Sequence, residues 1–404
     1  MERKRAAIIV FVLSFLLLIF GSIYHRNDVT KTPEAYAKEI IETCGDRSYV
    51  PRCYEEEIPK LLDRGLSFEE VFAVVAFVQK LDTQYSFCHV LAHNIAAKEA
   101  AKDLSKWTEV VARAPSGICS NGAIHGAFQE RFRDEVIPED RINEVVDELK
   151  GVCQFGREYT DVEQAHCYHA LGHLTVYATQ ADIFKSISIC EQVEAQGRRD
   201  YTQNCYEGAF MQVFQPLEPE DYSLVAGVAP NSQQEAIAFC NQFNGLQKSS
   251  CQKESWPLFR DDILEYPNGV VRFCDMVESG RERSRCYTSM FYILVPQMNF
   301  DTQRVSAMCD TFPTERVAQC YATAAGRFVE TDYSFLEDSI EICSIAEAKG
   351  SGSRCYEELL FLSAFNYTPE SDEFTAFCSS LPEPWQTRCF NREGDTIPLH
   401  LDPQ

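Results

Sequence analysis

Three short stretches hold five histidines at related positions: "FCHVLAHNIA" with His89 and His93, "CSNGAIHGAF" with His125, and "HCYHALGHLTVY" with His169 and His173. Each stretch carries a cysteine just ahead of these histidines. Counted from Cys88, Cys119 and Cys167, the histidines fall at +1 and +5, at +6, and at +2 and +6. A spacing of four puts both side chains on one face of a helix. Neutral imidazole is the commonest nitrogen ligand for zinc, copper, iron and nickel. Three to five such nitrogens without a thiolate suit a transition metal, zinc or copper ahead of iron, and a set of three leaves a coordination position open. The chemistry these residues could do is metal ligation.

Elements must bring the rings together. If the three stretches form helices lying side by side, equal offsets sit at similar heights, and His93, His125 and His173 converge. Ala92, Gly122, Ala123, Gly126, Ala170 and Gly172 beside them would permit close helix approach. Positions in the first two turns would place the rings in the positive field of a helix N-terminus, which opposes protonation. Gln129, one helical step from His125, and Tyr177, one step from His173, are the outer partners this register offers. His89 has a competing role as a packing residue, because tyrosine usually occupies its position. His166 reads as a cap or surface residue ahead of its helix, and His25 and His400 as solvated.

The cysteines show what repeats. In the C-terminal half Cys240 pairs with Cys251, Cys274 with Cys286, Cys309 with Cys320, Cys343 with Cys355, and Cys378 with Cys389. First members advance by 34, 35, 34 and 35 residues, and second members by 35, 34, 35 and 34. Cys153 with Cys167 and Cys190 with Cys205 fit the same scheme, with an inserted loop at 216–235 before the next unit. Cys44 and Cys53 form a pair nine residues apart, and Cys88 and Cys119, which have no first cysteines of their own, are expected to bond to each other. A period near 35 signals stacked helical hairpins. The first cysteine ends one run, as in "DIFKSISIC". A polar connection follows, and the second cysteine opens an apolar run such as "CYEELLFLSAF". Each bond would staple one helix to the next and contribute about 2–4 kcal/mol by restricting the unfolded chain. Tyrosine after the second cysteine, at Tyr54, Tyr168, Tyr206, Tyr287, Tyr321 and Tyr356, reads as packing. Over residues 150–395, period and cysteine placement resemble the cysteine-rich Sel1-like and tetratricopeptide helical-hairpin arrays. The tetratricopeptide Trp, Leu-Gly and Pro consensus is not evident, so the likeness is architectural and carries no functional residue.

Eighteen cysteines in 404 residues fit an oxidising compartment. A net charge of −24 argues against nucleic acid or acidic lipid headgroups as partners. At the N-terminus, Arg3, Lys4 and Arg5 precede an uncharged run from Ala6 to Tyr24, long enough to span a bilayer. The basic flank should stay in the cytoplasm, with the rest of the chain on the far side, whether periplasmic, cell-surface or lumenal. A retained signal-anchor is favoured over a cleaved signal peptide because no small-x-small site follows. Asn366-Tyr-Thr is a glycosylation sequon. No HExxH, CxxCH, P-loop or GxSxG motif occurs.

The expected fold is all-α: a disulfide-stapled helical-hairpin repeat array, an α-solenoid, behind an N-terminal transmembrane anchor. Its parts are the anchor at 1–28, a histidine-bearing helical region at 29–215, the inserted loop at 216–235, cysteine-paired repeats at 236–395 and a tail at 396–404. The leading functional reading is a membrane-anchored extracytoplasmic protein that binds a transition metal through histidines on three adjacent helices. The competing reading is a metal-free scaffold holding a protein or glycan partner on the repeat surface. A metal-dependent enzyme is the third.

Overall fold

The computed structural model describes residues 31–85, 88–115, 117–119, 122–132, 146, 149, 151–193, 199–216, 219–277 and 280–397. The anchor run Ala6–Tyr24, His25 and His400 lie outside them. Among the described residues no helix is long and apolar enough to cross a membrane, and no strand occurs. The fold is all-helical and is held by nine disulfides.

All nine bonds join the expected partners. In the first half they are Cys44–Cys53, Cys88–Cys119, Cys153–Cys167 and Cys190–Cys205. In the second half Cys240 bonds to Cys251, Cys274 to Cys286, Cys309 to Cys320, Cys343 to Cys355, and Cys378 to Cys389. Eight of the nine close connections of only 9 to 15 residues, tying one helix to the next. The bond between Cys88 and Cys119, 31 residues apart, instead ties the starts of two second-position helices together. The tyrosines that follow the second cysteines are all buried, as packing residues should be.

Nine of the helices carry the argument below: α1 (His89–Ala100), α2 (Gly122–Phe132), α3 (Asp161–Ala178), α4 (Thr202–Phe214), α5 (Pro219–Val225), α6 (Gly245–Glu254), α7 (Gly280–Gln297), α8 (Thr314–Thr331) and α9 (Gly352–Phe365). Apart from the short α5, each packs on the next in that order. The second cysteine does not open these helices, as its apolar run suggests. Cys251, Cys286, Cys320 and Cys355 each lie inside their helix, three to six residues past its start. Helix α3 likewise begins six residues ahead of Cys167, because Thr160 and Glu163 form a reciprocal capping box that starts the helix at Asp161. Helix α5 lies inside the segment 216–235 and packs on α4.

In a linear repeat array each unit touches only its neighbours. Here α9 also packs back on α3. The Tyr333 backbone N–H donates to the Gly117 carbonyl at 3.1 Å, and the Tyr333 hydroxyl donates to the Asn366 carbonyl at 2.9 Å. Gly117 has φ +68°, and a Cβ there would lie 2.3 Å from the Tyr333 ring. The Arg199 guanidinium stands 5.4 Å from the Phe361 ring. Asn366 is only 1% exposed, which hides the sequon in the folded chain. This return brings side chains of α3 near those of α8 and α9.

Candidate metal centre

The capacity to place three imidazoles together begins with backbone contact. A Cβ on Gly122 would lie 2.4 Å from the His89 carbonyl oxygen, and one on Gly126 would lie 2.1 Å from that of His93. Only glycine lets α2 press this closely on α1. The next pair of helices is built alike: a Cβ on Gly172 would lie 2.0 Å from the Cys205 carbonyl oxygen, and one on Gly208 1.9 Å from that of His169.

At this separation His125 of α2 meets both histidines of α1. Ring centroids are 5.1 Å apart for His89 and His93, 5.0 Å for His89 and His125, and 5.2 Å for His93 and His125. One ligand atom from each lies within 4.8 Å of the others. This is the group that converges, rather than the equal-offset set His93, His125 and His173. His173 and His169 stand next to it, each with its ring centroid 5.5 Å from that of His125. Their own Nε2 atoms are 3.2 Å apart.

Outer partners hold the rings. The Cys119 carbonyl accepts from His89 Nδ1 at 3.2 Å, which leaves His89 Nε2 with its lone pair. With Gln212 Oε1 as acceptor at 2.8 Å, Nδ1 of His173 carries the proton and its Nε2 likewise keeps a lone pair. Gln129 donates from Nε2 to the Tyr177 hydroxyl at 3.4 Å, and both line the cavity with His93. The two residues expected as outer partners therefore touch each other beside the centre. His93 and His125 are 8% and 6% exposed, and their Nε2 atoms find no hydrogen-bond partner among the described residues. A buried lone pair without a donor is costly unless something occupies it.

Burial also keeps the rings neutral. It is the largest cause holding His93, His125 and His169 well below the usual imidazole range, followed by the charge of neighbouring histidines. His173 is lowered to about 4 by burial, partly opposed by Gln212. The helix-end position expected for all three helices holds for His89, His93 and His125 but not for the histidines of α3. His169 and His173 sit mid-way along α3, so desolvation is the physical cause. His166 is not a cap ahead of its helix: it lies within α3, half-buried, and burial lowers it to about 3.

His89, His93, His125 and His173 line a cavity of about 20 Å³, large enough for one ion or water. Five further lining residues escaped the sequence reading: Phe128, Leu174, Met211, Gln212 and Asp221. Asp221 is 3% exposed and comes from α5, in the segment read as an inserted loop. No spacing rule links it to the histidines. Gln212 follows Cys205 at +7, one past the histidine offset, and a helical wheel anchored on the cysteines would have found it. A more open cavity of about 200 Å³ beside Cys240 has no comparable cluster of ligand groups.

A second ionisable cluster adjoins the first. Lys253 Nζ lies 2.6 Å from Glu207 Oε2 and 3.6 Å from Glu254 Oε1, and Gln215 Nε2 donates to Glu254 Oε2 at 2.8 Å. Arg327 donates to the Tyr292 hydroxyl and covers its ring. Burial raises Glu254 to about 7 against the pull of Lys253, and raises Glu358 to about 8 with help from Glu330. The charge of Lys253 reaches His169 and that of Arg327 reaches His166, so the two clusters share one interior.

These shifts fix a pH profile. Between the usual 4.5 and its folded value of about 8, Glu358 binds a proton that the unfolded chain does not, so stability falls as pH rises through that window. Between about 4 and the usual 6.5, the unfolded chain protonates His173 while the folded one does not, so stability falls as pH drops. Above pH 6.5 the raised carboxyls, Glu358 at about 8 and Glu254 at about 7, carry the profile together. Glu358→Gln is expected to flatten the decline in urea midpoint from pH 6.5 to 8 and to raise stability at pH 8 by about 1–3 kcal/mol. An unchanged slope would show that Glu358 ionises normally.

Comparison with protein-family models, curated proteins and solved structures gives no match for this chain. Function must be argued from the site itself.

Proposed function

We propose that the chain is an extracytoplasmic protein that binds a transition metal at the histidine centre. The observation that carries this is the His89, His93 and His125 group, with ligand atoms within 4.8 Å of one another. Its two most buried members present Nε2 atoms without a partner among the described residues. All eighteen cysteines are in disulfides, so the donors are nitrogen and carboxylate, a set suited to zinc or copper, with iron next. The nine disulfides support an oxidising, extracytoplasmic setting. The N-terminal run Ala6–Tyr24 supplies the membrane anchor in this reading, and the repeat surface is free to take a protein partner.

The adjoining Lys253–Glu207–Glu254 cluster favours a centre that acts on a bound ligand over one that stores an ion. The metal would act as a Lewis acid at its open position, and Glu254, raised to about 7 by burial, would move protons.

The full chain, expressed without a polyhistidine tag and exported, is loaded with zinc, copper or iron and dialysed against buffer at about pH 7.5, where neutral imidazole dominates. At least one tightly held equivalent per chain is expected by elemental mass spectrometry. No retained metal from any of the three leaves the metal-free scaffold in its place.

A further inference from the structure

We infer that Arg327 of α8 anchors an anion site that takes the carboxylate of a small, singly charged ligand. The site is separate from the histidine centre, and nothing in it requires a metal.

Arg327 is 8% exposed. Arginine keeps its charge when buried, so the charge must be matched where it lies. Arg157 and Arg199, both less buried, are matched in this way: each meets a buried carboxylate at 2.7 Å, Arg157 that of Glu163 and Arg199 that of Asp161. Arg327 makes no ion pair among the described residues. Its one hydrogen-bond partner there is the Tyr292 hydroxyl, which accepts from Nη1, and its guanidinium lies 3.9 Å from the centre of the Tyr292 ring. Burial raises the Tyr292 phenol to about 12, so the ring covers one face of the guanidinium and brings no negative charge. Nε is buried without a partner among the described residues. With Nη1 taken, Nε and Nη2 form the remaining edge. Two parallel N–H groups on one edge match the two oxygens of a carboxylate.

The surroundings decide the charge of the ligand. Lys253 is already matched by Glu207 at 2.6 Å and offers no spare positive charge. Glu330, one helical turn from Arg327, feels the guanidinium without pairing with it, and burial raises its carboxyl against that pull. Glu358, raised to about 8 by burial, is mostly protonated at neutral pH. One unmatched cation among acidic neighbours suits a monoanion better than a doubly charged phosphate. Tyr292, Glu330 and His166 are only half-buried, which leaves a way in from solvent. The fields of Arg327 and of His89 both reach His166, so the anion site lies on the side of α8 that faces the histidine-bearing α3.

Calorimetric titration with sodium acetate tests this at about pH 7, where acetate is ionised. The full chain is treated with chelator, so that no metal takes up the anion, and ionic strength is held constant. One acetate per chain is expected, with Kd on the order of 1–10 mM, as one bidentate pair supports. Arg327→Gln should weaken it at least ~10-fold, and Arg327→Lys, which keeps the charge but loses the fork, by ~3-fold or more. Unchanged affinity in Arg327→Gln overturns the site, and tighter binding of inorganic phosphate than of acetate overturns the carboxylate. A measurement on wild type guards against variants that misfold. With 15N-labelled arginine, one Nε–H resonance is expected to shift on acetate addition and to saturate with the calorimetric Kd. No saturating shift overturns the proposal.

Discussion

Replacing Gly126 by alanine is expected to force α2 away from α1 and abolish tight metal binding. The added Cβ would lie 2.1 Å from the His93 carbonyl oxygen, 2.7 Å from its carbon and 2.8 Å from its Cα. All three are backbone atoms of a helix, so no side-chain rotation relieves the contact. Ordinary contact needs about 1 Å or more of helix displacement. Overpacking of this kind costs about 3 kcal/mol or more where the backbone itself must move. The same displacement carries His125 out of reach of His93, so affinity should fall at least ~100-fold. The thermal midpoint and zinc retention of the variant check both effects. Gly227→Ala is the control, because a Cβ there meets nothing within 4 Å and should leave both unchanged. Normal stability in Gly126→Ala would mean that the two helices do not pack as described.

Replacing His125 by alanine is expected to have the next largest effect, and it separates coordination from packing. His125 is the one ring within 5.5 Å of the other four by centroid distance. Its Nε2 is buried without a partner among the described residues, so the metal-free protein gives up no hydrogen bond at that atom. Losing the ring leaves a cavity but also removes an unsatisfied polar atom, and these two effects oppose each other. Metal-free stability should therefore change little, while zinc affinity falls by more than the roughly 10–100-fold typical of outer-shell changes. Linkage supplies the readout. Zinc at a free concentration about 100 times its Kd should stabilise wild type by about 2.7 kcal/mol and the variant by less than about 0.4 kcal/mol. Equal zinc stabilisation of both proteins would remove His125 from the ligand set.

How much of this was legible beforehand depends on how far apart the partners lie. The disulfide pattern follows from spacing throughout because eight of the bonds span 9 to 15 residues within one unit, and the period repeats the same spacing. The glycines between α1 and α2 were legible for a related reason: helical periodicity places Gly122 and Gly126 on the face that carries the histidines. Register within a helix was legible too, so Gln129 and Tyr177 were found. The start of α3 is spelled by the capping box of Thr160 and Glu163, not by Cys167, which lies six residues inside the helix. Cys251, Cys286, Cys320 and Cys355 mislead in the same way: a disulfide fixes where two helices touch, not where either begins.

The amino-acid sequence by itself determined the stapled helical units, the five clustered histidines and the small residues that let their helices meet. Local rules suffice for these, since hairpin closure and helix faces depend on residues a few turns apart. Only the tertiary structure decided that His89, His93 and His125 converge while His169 and His173 stand as a separate pair. The same holds for α5 carrying Asp221 into the cavity lined by His89, His93, His125 and His173, and for the return of α9 to α3, which sets the second ionisable cluster against the first. These depend on contacts between helices far apart in the chain, and on burial that lowers imidazole basicity by desolvation. No residue type or spacing encodes such contacts; they emerge when the whole chain has packed.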